Sequence, residues 1–393
     1  MVQRESHRTL IELSQSFPIV TVTGPRQSGK TTLVKMKFPE KPYVSLESPD
    51  KRSFANEDPI GFLEQYPNGA ILDEIQRSPD LLSYIQTIVD SKKINGFYIL
   101  TGSNQFEYMK SLGQSLAGRT GILKLLPFSF KERYSTEIPS VEDMLYQGFY
   151  PRIYDQQIQP GFFYSSYLMT YIERDIRLIS QIQNLSLFQK FIELCAGRTG
   201  QVLNKNSLAN ECGISNKTVE EWLSLLETSF IIFRLRPYYK NWNKRIVKSP
   251  KLYFYDTGLV SYLLRIESPE QIIYHPLRGE LFETYVVSEF LKKRFHVGAR
   301  ENIYYFRDNN KNEVDIIIDT ASGPIPVEIK SGKTVHRQFF KGLDYFGGMS
   351  HSYKRSGLII GRNIYEKRSS YLIAGHDNIY GLYHDLTNNN NLD

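Results

Sequence analysis

Phe17-Pro-Ile-Val-Thr-Val-Thr-Gly-Pro-Arg-Gln-Ser-Gly-Lys-Thr-Thr32 is the stretch on which the fold turns. Its first part, Ile19 to Thr23, is rich in β-branched residues, as a buried strand requires. Gly24, Pro25, Arg26, Gln27, Ser28, Gly29, Lys30 and Thr31 then fill the pattern G-x-x-x-x-G-K-[ST], and Thr32-Leu-Val-Lys-Met36 is compatible with a helix. Gly24 and Gly29 allow a tight turn in which successive N–H groups face phosphate oxygens. Lys30 is expected to reach the β- and γ-phosphates, Thr31 to ligate Mg²⁺, and the following helix to aim its positive end at the same anion. Strand before and helix after the loop set the match apart from coincidence. ATP with Mg²⁺ is therefore the expected cofactor pair, bound by residues 24–32.

Outward from this loop, strands alternate with helices. Strands are expected over 42–47, 69–74, 97–104 and 122–126. Helices are expected in 1–16, over 59–66 with Asp58 as cap, over 79–90, and around 108–116. Such alternation predicts an α/β fold with a parallel sheet covered on both faces. Ligands sit beyond the carboxyl ends of such strands, where the glycine loop, Asp73-Glu74 and Ser103-Asn104 all fall. Asp73 is expected to join the Mg²⁺ shell and Glu74 to orient the attacking water. Asn104, or Ser103, is placed to sense the γ-phosphate. Arg119 is a candidate arginine finger for a neighbouring subunit, and a surface ion pair is its plainer alternative.

Residues 127–200 lose the strand rhythm and read as a helical lid, with long helices over 164–179 and 187–194. Pro151 and Pro160-Gly161 are candidate hinges or turns. Residues 207–227 follow a helix-turn-helix pattern: Ala209 permits close packing, Gly213 makes the turn, and Val219 and Trp222 face the core. Residues 230–235 and 251–255 suggest a wing, joined by a basic, aromatic link over 238–248. From 276 onward a helix (277–294), three strands (303–306, 313–319, 325–329), a helix (338–346) and a strand (357–360) form a further α/β domain. The expected boundaries are 1–135, 136–200, 201–270 and 271–393.

That last domain holds a second constellation: Glu283 on the helix, Asp315 in an apolar strand, and Glu328-Ile-Lys330. Glu328 and Lys330 share a strand face, and a hairpin partner can bring Asp315 beside them. Asp315 and Glu328 are expected to hold Mg²⁺ while Lys330 positions water, the chemistry of phosphodiester hydrolysis. Ordinary exposed ion pairs are the alternative. An acid within Val314–Ile318 fits that alternative poorly, because its charge must be paired or metal-bound.

Across its 393 residues the chain is 41% hydrophobic and 23% charged, the profile of a soluble globular protein. A net charge of +6 permits DNA or RNA as a partner without requiring it. Two cysteines make neither a disulfide framework nor a metal site, and no signal peptide or long apolar run is evident, so a cytoplasmic protein with no membrane partner is expected.

Val22 to Thr32, Ile71-Leu-Asp-Glu-Ile-Gln76, Leu100-Thr-Gly-Ser103, Leu116-Ala-Gly-Arg119, Leu126-Pro-Phe-Ser-Phe130, Tyr255-Asp-Thr-Gly258 and Gly279-Glu-Leu-Phe-Glu283 together resemble a large prokaryotic family of ATP-binding proteins. In that family an AAA-type ATPase precedes a domain of unknown function with a restriction-endonuclease-like fold. The resemblance implies an AAA-like core, then a winged helix, then the nuclease-like domain. It places the ATPase roles on Lys30, Thr31, Asp73 and Glu74. The nuclease pattern, Asp followed by Glu-x-Lys, falls on Asp315, Glu328 and Lys330, with the helical acid on Glu283. Arg278 to Glu283 also resembles the helix motif of archaeal junction resolvases. Three functions are compatible with this reading: an ATPase driving a metal-dependent nuclease, a nucleotide-switched binding module, and a sensor ATPase that oligomerises.

Overall fold

The computed structural model describes residues 2–103, 116–134, 137–170, 184–238, 248–349 and 355–388. Asn104, the helix expected around 108–116, the second half of the helix expected over 164–179 and most of the basic link lie outside the described residues.

Strand β1 (Ile19–Thr23) is buried along its whole length, between β4 (Tyr98–Gly102) and β5 (Thr120–Lys124) and parallel to both. β3 (Ile71–Asp73) and β2 (Tyr43–Ser45) continue the sheet beyond β4, giving the order β2-β3-β4-β1-β5. Alternation along β1 explains the two-sided core. Val20 and Val22 join Leu10, Leu33 and Val34 on one face, while Ile19 joins Leu82, Ile85 and Val89 on the other. A helix at Pro49–Glu57, started by its own proline, was not anticipated from the sequence.

Short helices follow at Phe130–Arg133, Val141–Gln147, Pro151–Asp155 and Pro160–Tyr167, then a longer one at Leu185–Ala196. Pro151 and Pro160 each occupy the first turn of a helix, where a fixed φ helps and a missing N–H is not missed. Helices Lys205–Cys212 and Asn216–Thr228 meet across Gly213, whose φ of 70° closes the first of them. Trp222 packs edge-on against Phe188 and Phe191. β6 (Gln201–Val202), β7 (Ile232–Leu235) and β8 (Lys251–Phe254) then form a three-stranded antiparallel sheet in the order β6-β8-β7.

Helix Arg278–His296 leads into a six-stranded mixed sheet. β9 (Ile303–Arg307), β10 (Glu313–Thr320) and β11 (Gly323–Lys330) are an antiparallel meander. Helix Lys341–Met349 then crosses to β12 (Ser356–Ile360), parallel to β11. β14 (Tyr371–Gly375) and the edge strand β13 (Tyr365–Arg368) extend the sheet, and helix Ile379–Thr387 packs on it. These last three elements had no counterpart in the sequence reading.

Helix Arg278–His296 is also the seam between units. Lys292 donates to the Phe128 carbonyl (2.8 Å) and pairs with Glu289 (2.8 Å), which accepts from the Phe130 N–H (3.0 Å). Tyr255-Asp-Thr-Gly258 is a packing motif. Asp256 is buried and accepts from the Phe149 N–H (2.7 Å) and the Tyr164 hydroxyl (2.6 Å), and a side chain at Gly258 would run into that same tyrosine.

Candidate nucleotide site and a carboxylate–lysine cluster

The turn after β1 is built as its glycines require. A Cβ on Gly24 would stand 2.1 Å from the Leu125 carbonyl oxygen, and Gly29 closes the loop at φ 90°. Gln27 also takes a left-handed conformation, φ 61°. Lys30 is buried and donates to the Gly24 and Pro25 carbonyls (3.1 and 2.8 Å), so its ammonium lies inside the concavity. Burial pulls its pKa down to about 8, helped by nearby Arg26 and opposed by Glu74 and Asp73. Ser28 Oγ and Thr23 Oγ1 are buried there without a hydrogen-bond partner.

Because β4 lies between β1 and β3, the ends of all three strands converge. The Thr31 hydroxyl donates to Asp73 (3.1 Å), as does the Tyr43 hydroxyl (2.6 Å), and Thr101 reaches the same carboxylate from β4. Glu74 follows with φ 56°, an uncommon backbone state for a non-glycine residue and one that recurs at functional positions. Gln76 bonds its carboxylate and donates to the Ser103 hydroxyl (3.2 Å). Burial raises the Glu74 pKa, with Asp73 and Glu47 adding to the rise and Lys30 and Arg26 opposing it.

Arg119 is not brought to this chain's own loop. Its carbonyl bonds Ile19 N–H at the start of β1, five residues from the glycine loop, or about 16 Å of strand. Its guanidinium makes a two-point ion pair with Asp90 (2.6 and 2.8 Å).

Arg4 is a site residue that the sequence reading missed. Its guanidinium, 5% exposed, donates to the Ser28 carbonyl (2.7 Å) and the Leu126 carbonyl (2.6 Å) and pairs with Glu132 (3.0 Å). Glu132 in turn caps its own helix through Ser129 and accepts from the Glu5 N–H (2.7 Å). His296 stands beside Glu5 (3.3 Å) and Glu132 (3.8 Å), so this network joins the back of the loop to helix Arg278–His296. A small, largely apolar cleft opens beside Gly29, lined by Val2, Arg4, Thr32, Met36, Phe128 and Pro151.

The second constellation also assembles. The β10–β11 pairing aligns Ile316 with Val327, which sets Asp315 opposite Glu328. Asp315 accepts from the Ile329 N–H (2.8 Å), and Lys330 bridges Glu328 (2.6 Å) and Asp315 (3.6 Å). Glu283 joins from its helix through a residue that the sequence reading passed over. Lys251 on β8, 2% exposed, contacts Glu283 (2.8 Å), Glu313 (2.5 Å) and Asp315 (3.9 Å). Tyr253, two residues on, reaches Glu283 as well. A lysine and a tyrosine alternating with Leu252 and Phe254 in a buried strand was the available signal. Burial raises the pKa of Glu283 to about 7, with Asp315 adding and Lys251 opposing. Burial and then Asp315 raise that of Glu328 to about 8. Glu328 Oε2 is buried without a hydrogen-bond partner.

The acids of the helix-turn-helix are paired. Glu220 pairs with Lys205 (3.2 Å) and Arg234 (2.6 Å), Glu227 pairs with Arg234, and Glu221 pairs with the exposed Lys217 (3.9 Å). Helix Asn216–Thr228 carries Lys217 as its one cation, where a phosphate-binding face would carry a row.

Residues 16–134 match the family described as an AAA domain. Residues 138–270 and 278–378 match two families described as domains of unknown function, DUF8612 and DUF4143. An uncharacterized protein of Mycobacterium tuberculosis is 26% identical over 84% of this chain and 74% of its own length. Another, from Haemophilus influenzae, is 24% identical over 66% of this chain and 72% of its own length. A solved Walker-type ATPase of Pyrococcus abyssi superposes with a TM-score of 0.44 at 14% identity, covering 68% of this chain and 96% of that one. The family match and the loop place an AAA-type P-loop ATPase domain at the N-terminal end of this chain. Among the described residues no helix is long and apolar enough to cross a membrane.

Proposed function

We propose that this chain is a Mg²⁺-dependent ATPase whose nucleotide cycle is coupled to a C-terminal centre of restriction-endonuclease type, PD-(D/E)XK, acting on DNA or RNA. The observation that carries the ATPase reading is the Thr31–Asp73 contact beside a buried Lys30, which is a Mg²⁺ ligand pair and its phosphate cation already together. Partnerless Ser28 and Thr23 hydroxyls in the concavity fit an incoming polyphosphate. In this reading Gly24 to Thr32 wrap the phosphates, Lys30 takes the β- and γ-oxygens, and the cleft beside Gly29 takes the base. Mg²⁺ held by Thr31 and Asp73 would neutralise phosphate charge. Glu74 orients the attacking water, and its raised pKa suits a group that must accept a proton. Ser103 adjoins the γ-phosphate in this reading. Arg119, far from its own loop, acts on that of a neighbour in a homo-oligomer, released from Asp90.

At the C-terminal centre, Glu283, Asp315 and Glu328 would hold the metal and Lys330 would position water. Helix Arg278–His296 carries Glu283 near one end and the Glu289, Lys292 and His296 contacts to the ATPase unit near the other, which supports coupling. A winged-helix reading of 201–254 supports a nucleic-acid partner, and helix Asn216–Thr228, with Lys217 as its one cation, is a poor candidate for the contacting element. A second reading, a nucleotide-switched module that grips DNA or a protein without cutting, is favoured by the ammonium of Lys251 among the carboxylates.

Purified protein would be assayed for ATP hydrolysis as wild type and Glu74→Gln. It would also be incubated with Mg²⁺ or Mn²⁺ and single-stranded, duplex and branched DNA and RNA, with and without ATP. Hydrolysis lost in Glu74→Gln, and cleavage lost in Asp315→Asn, are expected. Metal-independent binding with no cut on any substrate would select the second reading.

A further inference from the structure

We propose that Lys251 is a tethered counter-ion that closes the C-terminal centre, its ammonium standing where a divalent cation would bind Glu283 and Asp315. The inference rests on reading those carboxylates as a metal centre. Lys251 belongs to a different unit from the groups it touches: it comes from β8, whereas they come from helix Arg278–His296 and β10. Its Nζ is the one cation placed 2.8 Å from Glu283 and 3.9 Å from Asp315 among the described residues. The ammonium also lies over the Tyr305 ring, 5.6 Å from its centroid.

Spacing points the same way. Mg²⁺ needs oxygens at about 2.0–2.1 Å, closer than an ammonium takes them. Among the described residues, Glu5, Glu132 and His296 form the group of three whose ligand atoms converge within 4.8 Å, and Glu283, Asp315 and Glu328 form no such group. The Lys251 ammonium lies between Glu283 and Asp315, at 2.8 and 3.9 Å.

What seats Lys251 is the docking of the three-stranded sheet on β9. Tyr238 N–H donates to the Tyr305 carbonyl (2.8 Å), Tyr305 N–H to the Arg236 carbonyl (3.1 Å), and the Tyr305 hydroxyl to Ser249. Metal therefore enters when this seam opens or the side chain of Lys251 leaves, which makes the seam an autoinhibitory contact.

The test is Mn²⁺ titration calorimetry on the nucleotide-free full chain as wild type, Asp315→Asn, Lys251→Met and Lys251→Met/Asp315→Asn. Melting temperatures with and without Mn²⁺ accompany it. Lys251→Met is expected to bind Mn²⁺ at least tenfold more tightly than wild type, to melt higher with Mn²⁺, and to lose both gains with Asp315→Asn. Asp315-dependent binding as tight in wild type as in Lys251→Met would overturn the closure yet leave the metal centre standing. Asp315-dependent binding in neither protein would overturn both. If Lys251→Met folds poorly without metal, refolding in Mn²⁺ becomes the measurement: Asp315-dependent recovery supports the closure, and failure to recover counts against it.

Discussion

Replacing Arg4 by methionine keeps a long apolar stem and removes the guanidinium that ties the glycine loop to the rest of the molecule. Three contacts go together: to the Ser28 carbonyl, the Leu126 carbonyl and Glu132, at 2.7, 2.6 and 3.0 Å. The Glu132 side chain is wholly buried, so the loss leaves a carboxylate inside the protein with only neutral N–H donors and His296 beside it. Breaking one partner out of such a pair costs about 3–5 kcal/mol, and the two carbonyl contacts overlap with that figure rather than adding to it. Against a total of about 5–15 kcal/mol this is a large fraction. The cost depends on pH with a definite sign. Burial alone would raise the Glu132 pKa, but Arg4, His296 and N–H donors hold it below 4.5. A depressed carboxylate stabilises above its unfolded pKa and loses that contribution in acid, so the Arg4→Met deficit should be full at neutral pH and shrink below about pH 4.5. Urea unfolding of both proteins at pH 7 and in acid measures the first quantity, and titration of ATP measures the second. ATP affinity should drop at least tenfold, because Ser28 loses the donor that holds its peptide plane. Arg4→Lys should fall between the two, since one ammonium cannot reach both carbonyls. A deficit under about 1 kcal/mol with unchanged ATP affinity would refute the buttress.

Three further outcomes follow from the same geometry. Lys30 has its pKa lowered to about 8 and must be charged to hold phosphate, so ATP affinity should weaken about tenfold per pH unit above that value until the bound-state pKa is reached. Calorimetry across pH 7–10 would show this slope, and Lys30→Arg should flatten it. Arg119→Ala should lower turnover on the order of a thousandfold if the residue serves a neighbour; Asp90→Ala should not, and wild-type activity per chain should rise with protein concentration. Glu328, raised to about 8, contributes stability that is whole below its unfolded pKa of 4.5 and is lost as pH rises through about 8. Chemical unfolding in EDTA should therefore show wild type losing stability across that window, and Glu328→Gln losing less.

Where chemistry is written in consecutive residues, the sequence by itself determined it. Gly24 to Thr31 specifies a loop because the turn, the N–H groups and the lysine come from one short segment whose backbone has few alternatives. Asp73-Glu74 was legible for a related reason, since parallel strands place their carboxyl ends together. Glu328 and Lys330 shared a face by the period of a strand, and Asp315 met them as the hairpin register required. Pro151 and Pro160 were legible as boundaries but not as helix starts, because proline marks a boundary without saying which side is helical. Tertiary structure alone decided the partners. Arg4 reaches Ser28 and Leu126, and Lys251 crosses from one sheet to the acids of another unit. A lysine in an apolar strand signals that a buried anion exists, but not which one, because that depends on how separately folded faces dock. Sequence spacing fixes neighbours along an element, whereas pairing across a seam is set by the low-dielectric demand that every buried charge find its opposite.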